Sequence, residues 1–206
     1  SKGSKNSFSI ESAGGPIGGE IEFQKIWLKS DLYFPIHKYL TLVGKGHLGL
    51  LVNFWGNDES VPYGERFWPG GISFDGQIRG YPDRSIGPLE WTDAEYDSTV
   101  IPDAAGRIPL LMPSLSYQPG ARAVLTLTAE LRFPIMRDQL YVSAFADAGN
   151  AWLTPREINV SDLFRSAGFG VRFVIPMIGI FGLDFGYGFD RTPQDWEIHF
   201  QIGPEF

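Results

Sequence analysis

Apolar and polar residues alternate with a period of two through much of the chain. The pattern is faint over residues 7–11. It is clear over 22–35, where Ile26, Leu28, Leu32 and Phe34 oppose Lys25, Lys29, Asp31 and Tyr33. A period of two sends successive side chains to opposite faces of a β-strand. Residues 39–54 repeat the pattern, with Leu40, Leu42, Leu48, Leu50, Val52 and Phe54 against Thr41, Lys45 and His47, and Gly44 and Gly46 on the apolar side. The second half is the most regular. Leu125, Leu127, Leu131 and Phe133 alternate with Thr126, Thr128, Glu130 and Arg132, and Leu140, Val142, Ala144 and Ala146 with Tyr141, Ser143, Phe145 and Asp147. Phe169, Val171, Phe173 and Ile175 then oppose Gly168, Gly170 and Arg172, and Phe181, Leu183, Phe185, Tyr187 and Phe189 oppose Gly182, Asp184, Gly186, Gly188 and Asp190. The last segment, 196–206, sets Trp196, Ile198, Phe200, Ile202 and Phe206 against Glu197, His199, Gln201 and Glu205. It brings the expected strands to eight. One helical turn is expected around 160–164 in the polar segment that precedes the sixth strand.

The two faces differ in a way that a soluble sandwich does not explain. In a sandwich the apolar face meets another apolar face and the polar face meets water. Here one face is almost unbroken large apolar residues, while the other carries glycines and isolated charges such as Glu130, Asp147, Arg172 and Asp184. That contrast fits a lipid-facing outside and a polar interior, with Tyr and Trp near strand ends as interfacial anchors. Connection lengths agree, since short turns at 134–139 and 176–179 alternate with long connections at 56–120 and 150–165, the pattern of periplasmic turns and extracellular loops. The fold class expected is therefore all-β, the wall of an antiparallel transmembrane β-barrel.

Composition narrows the function classes. Aromatics make up 15% of the 206 residues, with 25 glycines and 15 prolines, which suits strands and turns more than long helices. There is no cysteine, so disulfides, thiolate metal sites and thiol nucleophiles are excluded together. A net charge of -7 with only 17 Lys and Arg argues against nucleic acid as a partner. No window approaches the roughly 18 apolar residues of a membrane helix, a test that strands of about 9–11 residues escape. Gly44-Lys45-Gly46-His47-Leu48-Gly49 spells a dinucleotide-type glycine motif, but it lies inside a strand pattern with no helix after it. The three histidines stand far apart with no metal spacing, and no nucleophile elbow occurs, so neither a metal, a cofactor nor a catalytic residue is expected. Asp184 and Asp190 share a face, and their plain expectation is solvation on a polar wall.

Residues 56–120 break the alternation. Connections of that length in a compact domain are functional or disordered, and Phe67, Trp68, Phe74, Tyr81 and Trp91 are more aromatic than disorder allows. Their first half is expected to be ordered, with 65–88 at its centre. Within it, ERFWPGG followed by QIRGY leads in order to TAELRFPI, FADAGNAW, FGLDFGYGFD and HFQIGPEF. This ordered set resembles the carboxyl-terminal half of the barrel of BamA-type outer-membrane-protein assembly factors, of the bacterial surface antigen family, from about Ser7 onward. Tyr81, where the family more often has Phe, is a mild departure.

The resemblance implies a sixteen-stranded barrel in the bacterial outer membrane, with the long loop folded back inside and its arginine meeting acids of the inner wall. Residue by residue it points to Arg79, Gly80 and Tyr81 in the loop and to Glu130 and Asp147 in strands. A guanidinium suits that role because its planar donors match carboxylate oxygens. An interior of eight strands is nearly filled by side chains, so a loop inside requires a wider wall; the chain is expected to be one part of a larger protein. The resemblance further implies periplasmic polypeptide-binding domains, and outer-membrane lipids, unfolded client β-barrel proteins and accessory assembly lipoproteins as partners. It also implies a lateral seam at the last strand, through Trp196, Ile198, Phe200, Ile202 and Phe206, where a client strand adds by β-augmentation without covalent chemistry. The rivals are a polypeptide-secreting transporter of the same broad family and a passive porin or small barrel enzyme.

Overall fold

A computed structural model of the protein describes residues 2–15, 18, 21–54, 61–88, 120–136, 139–175, 179–191 and 194–203. Among them, eight strands form one antiparallel sheet in chain order: β1 (Gly3–Ala13), β2 (Phe23–His37), β3 (Leu40–Val52), β4 (Ala123–Met136), β5 (Leu140–Trp152), β6 (Phe164–Ile175), β7 (Gly179–Gly188) and β8 (Trp196–Gly203). Each strand pairs with its sequence neighbour, so every connection is a hairpin and the sheet is unclosed, with β1 and β8 at its edges. It nevertheless curls, because Lys5 and Ser7 of β1 and Gln201 of β8 line the same cavity.

Register carries the alternation across the sheet. Asp31 lies opposite Lys45, Thr128 opposite Asp147 and Asp184 opposite His199, so the polar positions of successive strands form rows on the concave face. The convex face is apolar and open. Leu28, Phe34, Leu127, Phe133, Phe169, Phe173, Phe200 and Ile202 are all exposed there. Aromatic pairs bridge neighbouring strands on that face, with Phe169 stacked on Phe185 at 5.2 Å and Phe181 edge-on to Phe200 at 4.7 Å. No helix among the described residues is long and apolar enough to cross a membrane; the strands supply the apolar surface. Prolines sit where ladder bonds can be spared, and Pro35 and Pro134 each mark a register shift beside a short turn.

The first strand is longer than its weak pattern suggests, because pairing with β2 extends it over 11 residues. The helical turn expected at 160–164 lies instead at Pro155–Glu157, where Pro occupies the first turn. Short turns join β2 to β3, β4 to β5 and β6 to β7 at one end of the sheet, and the longer connections gather at the other. From that end residues 61–88 fold onto the concave face.

Two apolar clusters hold this segment. Phe67, Val61 and Ala121 pack with Phe23, Leu51, Val124 and Ala151 of the wall, and Trp27 meets Phe67 edge-on at 5.0 Å. Deeper in, Ile78, Tyr81 and Ile86 pack with Phe164. Phe67 and Ala121 exchange both backbone bonds at 2.8 and 3.0 Å, closing the base of the loop.

Candidate functional site

The loop arranges its own backbone before it meets the wall. Gly71 and Ile78 exchange N–H···O bonds of 2.9 and 3.0 Å, Ile86 donates to Pro69 O at 3.1 Å, and the Asp83 carboxylate accepts from Ile72 N–H at 2.8 Å. The effect is a tight fold that presents Arg79 at its inner tip. Arg79 is 1% exposed.

An arginine that deeply buried requires partners for its charge and its planar donors. Asp147 on β5 supplies most of them. Its Oδ2 accepts from Arg79 Nε at 2.8 Å and from the Arg79 backbone N–H at 3.1 Å, and its Oδ1 accepts from Nη2 at 2.9 Å and from the Thr128 hydroxyl at 2.9 Å. These four bonds use the carboxylate's full acceptor capacity. Arg79 Nη1 donates to Glu130 Oε2 on β4 at 3.2 Å and lies 3.7 Å from Asp184 Oδ2 on β7. The Phe145 ring covers the guanidinium, 3.5 Å from its carbon to the ring centroid, which adds a cation–π contact.

The acids are themselves shared. Arg132 Nε donates to Glu130 at 2.7 Å, and Arg172 Nη1 donates to Asp184 at 2.6 Å. Three guanidiniums, of Arg79, Arg132 and Arg172, thus balance three carboxylates, of Glu130, Asp147 and Asp184. Burial works against the charge on Arg79, but attraction and hydrogen bonding from Asp147, then Glu130 and Asp184, outweigh it and hold its proton more firmly than an ordinary arginine's.

Glycines make the approach possible. Gly80 has φ +88, a conformation that disfavours other residues, and its backbone lies directly on β7. A Cβ at Gly186 would collide with Gly80 N, and one at Gly188 would come within 2.7 Å of Gly80 O. A Cβ at Gly182 would meet the Arg172 side chain at 2.9 Å. The inward glycines of β7 are therefore the floor on which the loop backbone and Arg172 rest.

Among the residues expected to act together, Arg79, Glu130 and Asp147 are in contact, with Gly80 beside them on β7. Tyr81 points away from the acids. Its hydroxyl donates to Arg165 O at 2.8 Å and accepts from Asp190 N–H at 3.2 Å, fastening the loop to the start of β6 and to the β7–β8 connection. Trp196, Ile198, Phe200 and Ile202 lie on the outer face of β8, all more than half exposed, and Phe206 lies outside the described residues. Trp91 and residues 89–119 of the long connection lie outside them as well.

Asp184 corrects the expectation of a solvated acid: it is 0% exposed because Arg172 and Arg79 converge on it. Asp190, also expected to be solvated, does stay accessible, but it pairs with Arg165 at 2.8 Å. Phe145, Arg172 and His199 join the site without having been singled out for it. His199 accepts a bond from Gly80 N–H at 2.9 Å. Period two placed all three on the inner face, but only register and curvature bring them to one arginine.

The profile of the Omp85 superfamily domain matches residues 1–206. The chain belongs to the Omp85 superfamily. Within it, a curated relative is the outer membrane protein assembly factor BamA of Nitratidesulfovibrio vulgaris, 29% identical over 192 residues, covering 92% of this chain and 20% of that protein. Among solved structures, BamA from Haemophilus ducreyi lacking POTRA domains 1–3 superposes with a TM-score of 0.69 at 20% identity, over 98% of this chain and 38% of the other. The chain thus spans about a fifth of the one and under two fifths of the other. The likeness to the solved structure is one of fold: an all-β sheet that matches part of a barrel. Omp85 membership and the BamA-type resemblance locate the chain in the bacterial outer membrane.

Proposed function

We propose that the protein containing this chain folds and inserts β-barrel clients into the bacterial outer membrane, with residues 1–206 forming the C-terminal part of its barrel. On this reading the long connection at about 56–120 is partly internal, and Arg79 is the tooth of a latch seated on Glu130 and Asp147. The observation that carries it is the burial of Arg79 in a charge-balanced seat on the inner wall. A loop fixed this firmly braces the inner wall, while β8, pairing only weakly with the first strand of the whole barrel, would open its edge to an incoming strand. The outer residues Trp196, Ile198, Phe200 and Ile202 would then hold that seam in lipid. The assembly-factor name of the curated relative favours this over secretion of a polypeptide. Unfolded barrel proteins are the clients, and accessory lipoproteins the expected partners.

The test is reconstitution of the full protein in liposomes with an unfolded barrel client, following the client's change in gel mobility as it folds. Arg79→Ala is expected to slow folding at least about tenfold, and a cysteine at Ile202 to cross-link to the client's terminal strand. Unchanged folding by a well-folded Arg79→Ala variant, with no cross-link, would reject the assembly reading.

A further inference from the structure

The loop is held by charge on β4, β5 and β7, but its seat on β8 is of a different kind. There the donor is the backbone N–H of Gly80 and the acceptor is a ring nitrogen, His199 Nε2, at 2.9 Å. An N–H can only donate, so Nε2 carries the lone pair and the ring proton resides on Nδ1. The ring is 5% exposed, and Gly80 lies over the β7 glycines, so the bond is buried at both ends.

We propose that His199 is a positioning residue: its neutral imidazole ties the loop to β8, and its protonation releases the loop from that strand. A proton on Nε2 turns the acceptor into a donor facing another donor. The arginine–carboxylate seats do not change charge near neutral pH, whereas an imidazole does. Charged groups face the ring from three sides. Asp184 on β7 is its register partner and is shared by Arg172 and Arg79; Asp83 and Arg79 face it from the loop; Glu197 on its own strand is paired with Arg191 at 2.6 Å. Three carboxylates stand against three guanidiniums, of Arg79, Arg172 and Arg191, so the surroundings are balanced around a neutral ring, and a proton on it adds a buried charge as well as destroying the hydrogen bond that links latch and edge strand. The loop from Gly80 to Ile86 then opens from the wall while Arg79 stays seated.

This deepens the latch reading and rests on it, but its test reads the seating of the loop and not client insertion. The full protein in lipid nanodiscs, free of other cysteines, carries Ile86→Cys, a position buried with Ile78 and Tyr81. Maleimide labelling of this thiol is followed from about pH 8 to about pH 4.5, well past the ordinary histidine value of about 6.5. His199→Gln keeps an oxygen acceptor that does not titrate, so dividing each rate by that of His199→Gln removes the pH dependence of the reagent. The ratio for the unaltered histidine is expected to stay near one at the alkaline end and to rise about fivefold or more at the acid end, as expected for loss of one buried hydrogen bond. His199→Leu is expected to label about fivefold faster at both ends. Nitrogen-15 NMR of the ring, assigned by its loss in His199→Gln, should show the Nδ1–H form at pH 8. A ratio that stays at one throughout, or an Nε2–H ring at pH 8, would overturn the inference, even if His199→Leu does not fold. Labelling that follows the expected course in a protein that inserts no client would sink the assembly reading and leave His199 as assigned.

Discussion

The inner wall has two unlike sides. Along β4–β8 the loop lies in direct contact with the strands, and the inward positions that meet it include acids, arginines, glycines, Phe145 and His199. Along β1–β3 the inward positions carry Lys5, Lys29, Asp31, Lys45 and His47, which line a cavity of about 460 Å³ between the wall and the loop tip at Ile72 to Gln77. Both sides are charged, so charge alone does not make a seat. The acids of β4, β5 and β7 converge in register on one point, while the glycines of β7 let backbone approach backbone. On β2 and β3, by contrast, the side chains of Trp27, Lys29, Lys45 and His47 stand between the wall and the loop and border the cavity, and Asp31 is already engaged by His47 at 2.9 Å.

The largest effect that could break this comparison is at Arg79. Arg79→Met would leave Asp147 buried without its cation and Glu130 with Arg132 alone, and breaking a buried pair in this way typically costs about 3–5 kcal/mol. The midpoint of thermal unfolding, read from gel mobility, should fall accordingly. Arg79→Lys should recover little of it, because an ammonium cannot span both oxygens of Asp147 and reach Glu130. A loss below about 1 kcal/mol for Arg79→Met would put the two sides on an equal footing.

Next comes the floor. Gly186→Ala forces a methyl into the Gly80 backbone and should cost about 1–3 kcal/mol, as overpacking does. Gly44→Ala, where a Cβ would meet nothing within 4 Å, should stay within about 0.5 kcal/mol. Equal costs at the two positions would mean that β7 glycines are not selected by the loop.

Smaller still is the open side. Lys29, 4.7 Å above the Trp27 ring and facing the cavity, should tolerate Lys29→Gln within about 0.5 kcal/mol in the same unfolding measurement. The smallest effect lies at the rim, where hydrogen bonding from Arg165 holds the Asp190 carboxyl below the usual carboxylate range. A depressed folded value means that the contact contributes fully above the ordinary carboxylate range and is lost as pH falls through the depressed one. Proteolytic protection of the β7–β8 connection should therefore be flat from neutral pH down to that range and drop below it. In Asp190→Asn this drop should be absent.

The face of each strand was legible in the sequence because period two is a property of a single strand. Glu130, Asp147, Asp184 and Arg172 all lie on the side that the alternation assigned them. The connection lengths likewise announced which end of the sheet would carry the loop. What the alternation could not supply is neighbourhood. Asp184 reads as a solvated acid until register places it beside Arg172 and curvature brings it to Arg79. Phe145 reads as an apolar misfit on a polar face until Arg79 lies over it. His199 was one of three scattered histidines, and nothing local distinguishes it; its role depends on a glycine 119 residues away. The inward glycines, counted in the sequence simply as part of the polar face, are contact surfaces for the loop.

Those separations govern how the chain can fold. Arg79 reaches Asp147 across 68 residues and Gly80 reaches His199 across 119, whereas the strands join through hairpins between sequence neighbours. Closing a long span costs entropy before any contact repays it, and the arginine's partners are spread over β4, β5 and β7, so they converge only once those strands are in register. Burial of the loop is thus the closing event of folding: a chain whose last strands have not formed has nowhere to put Arg79, and a buried Arg79 certifies that they have.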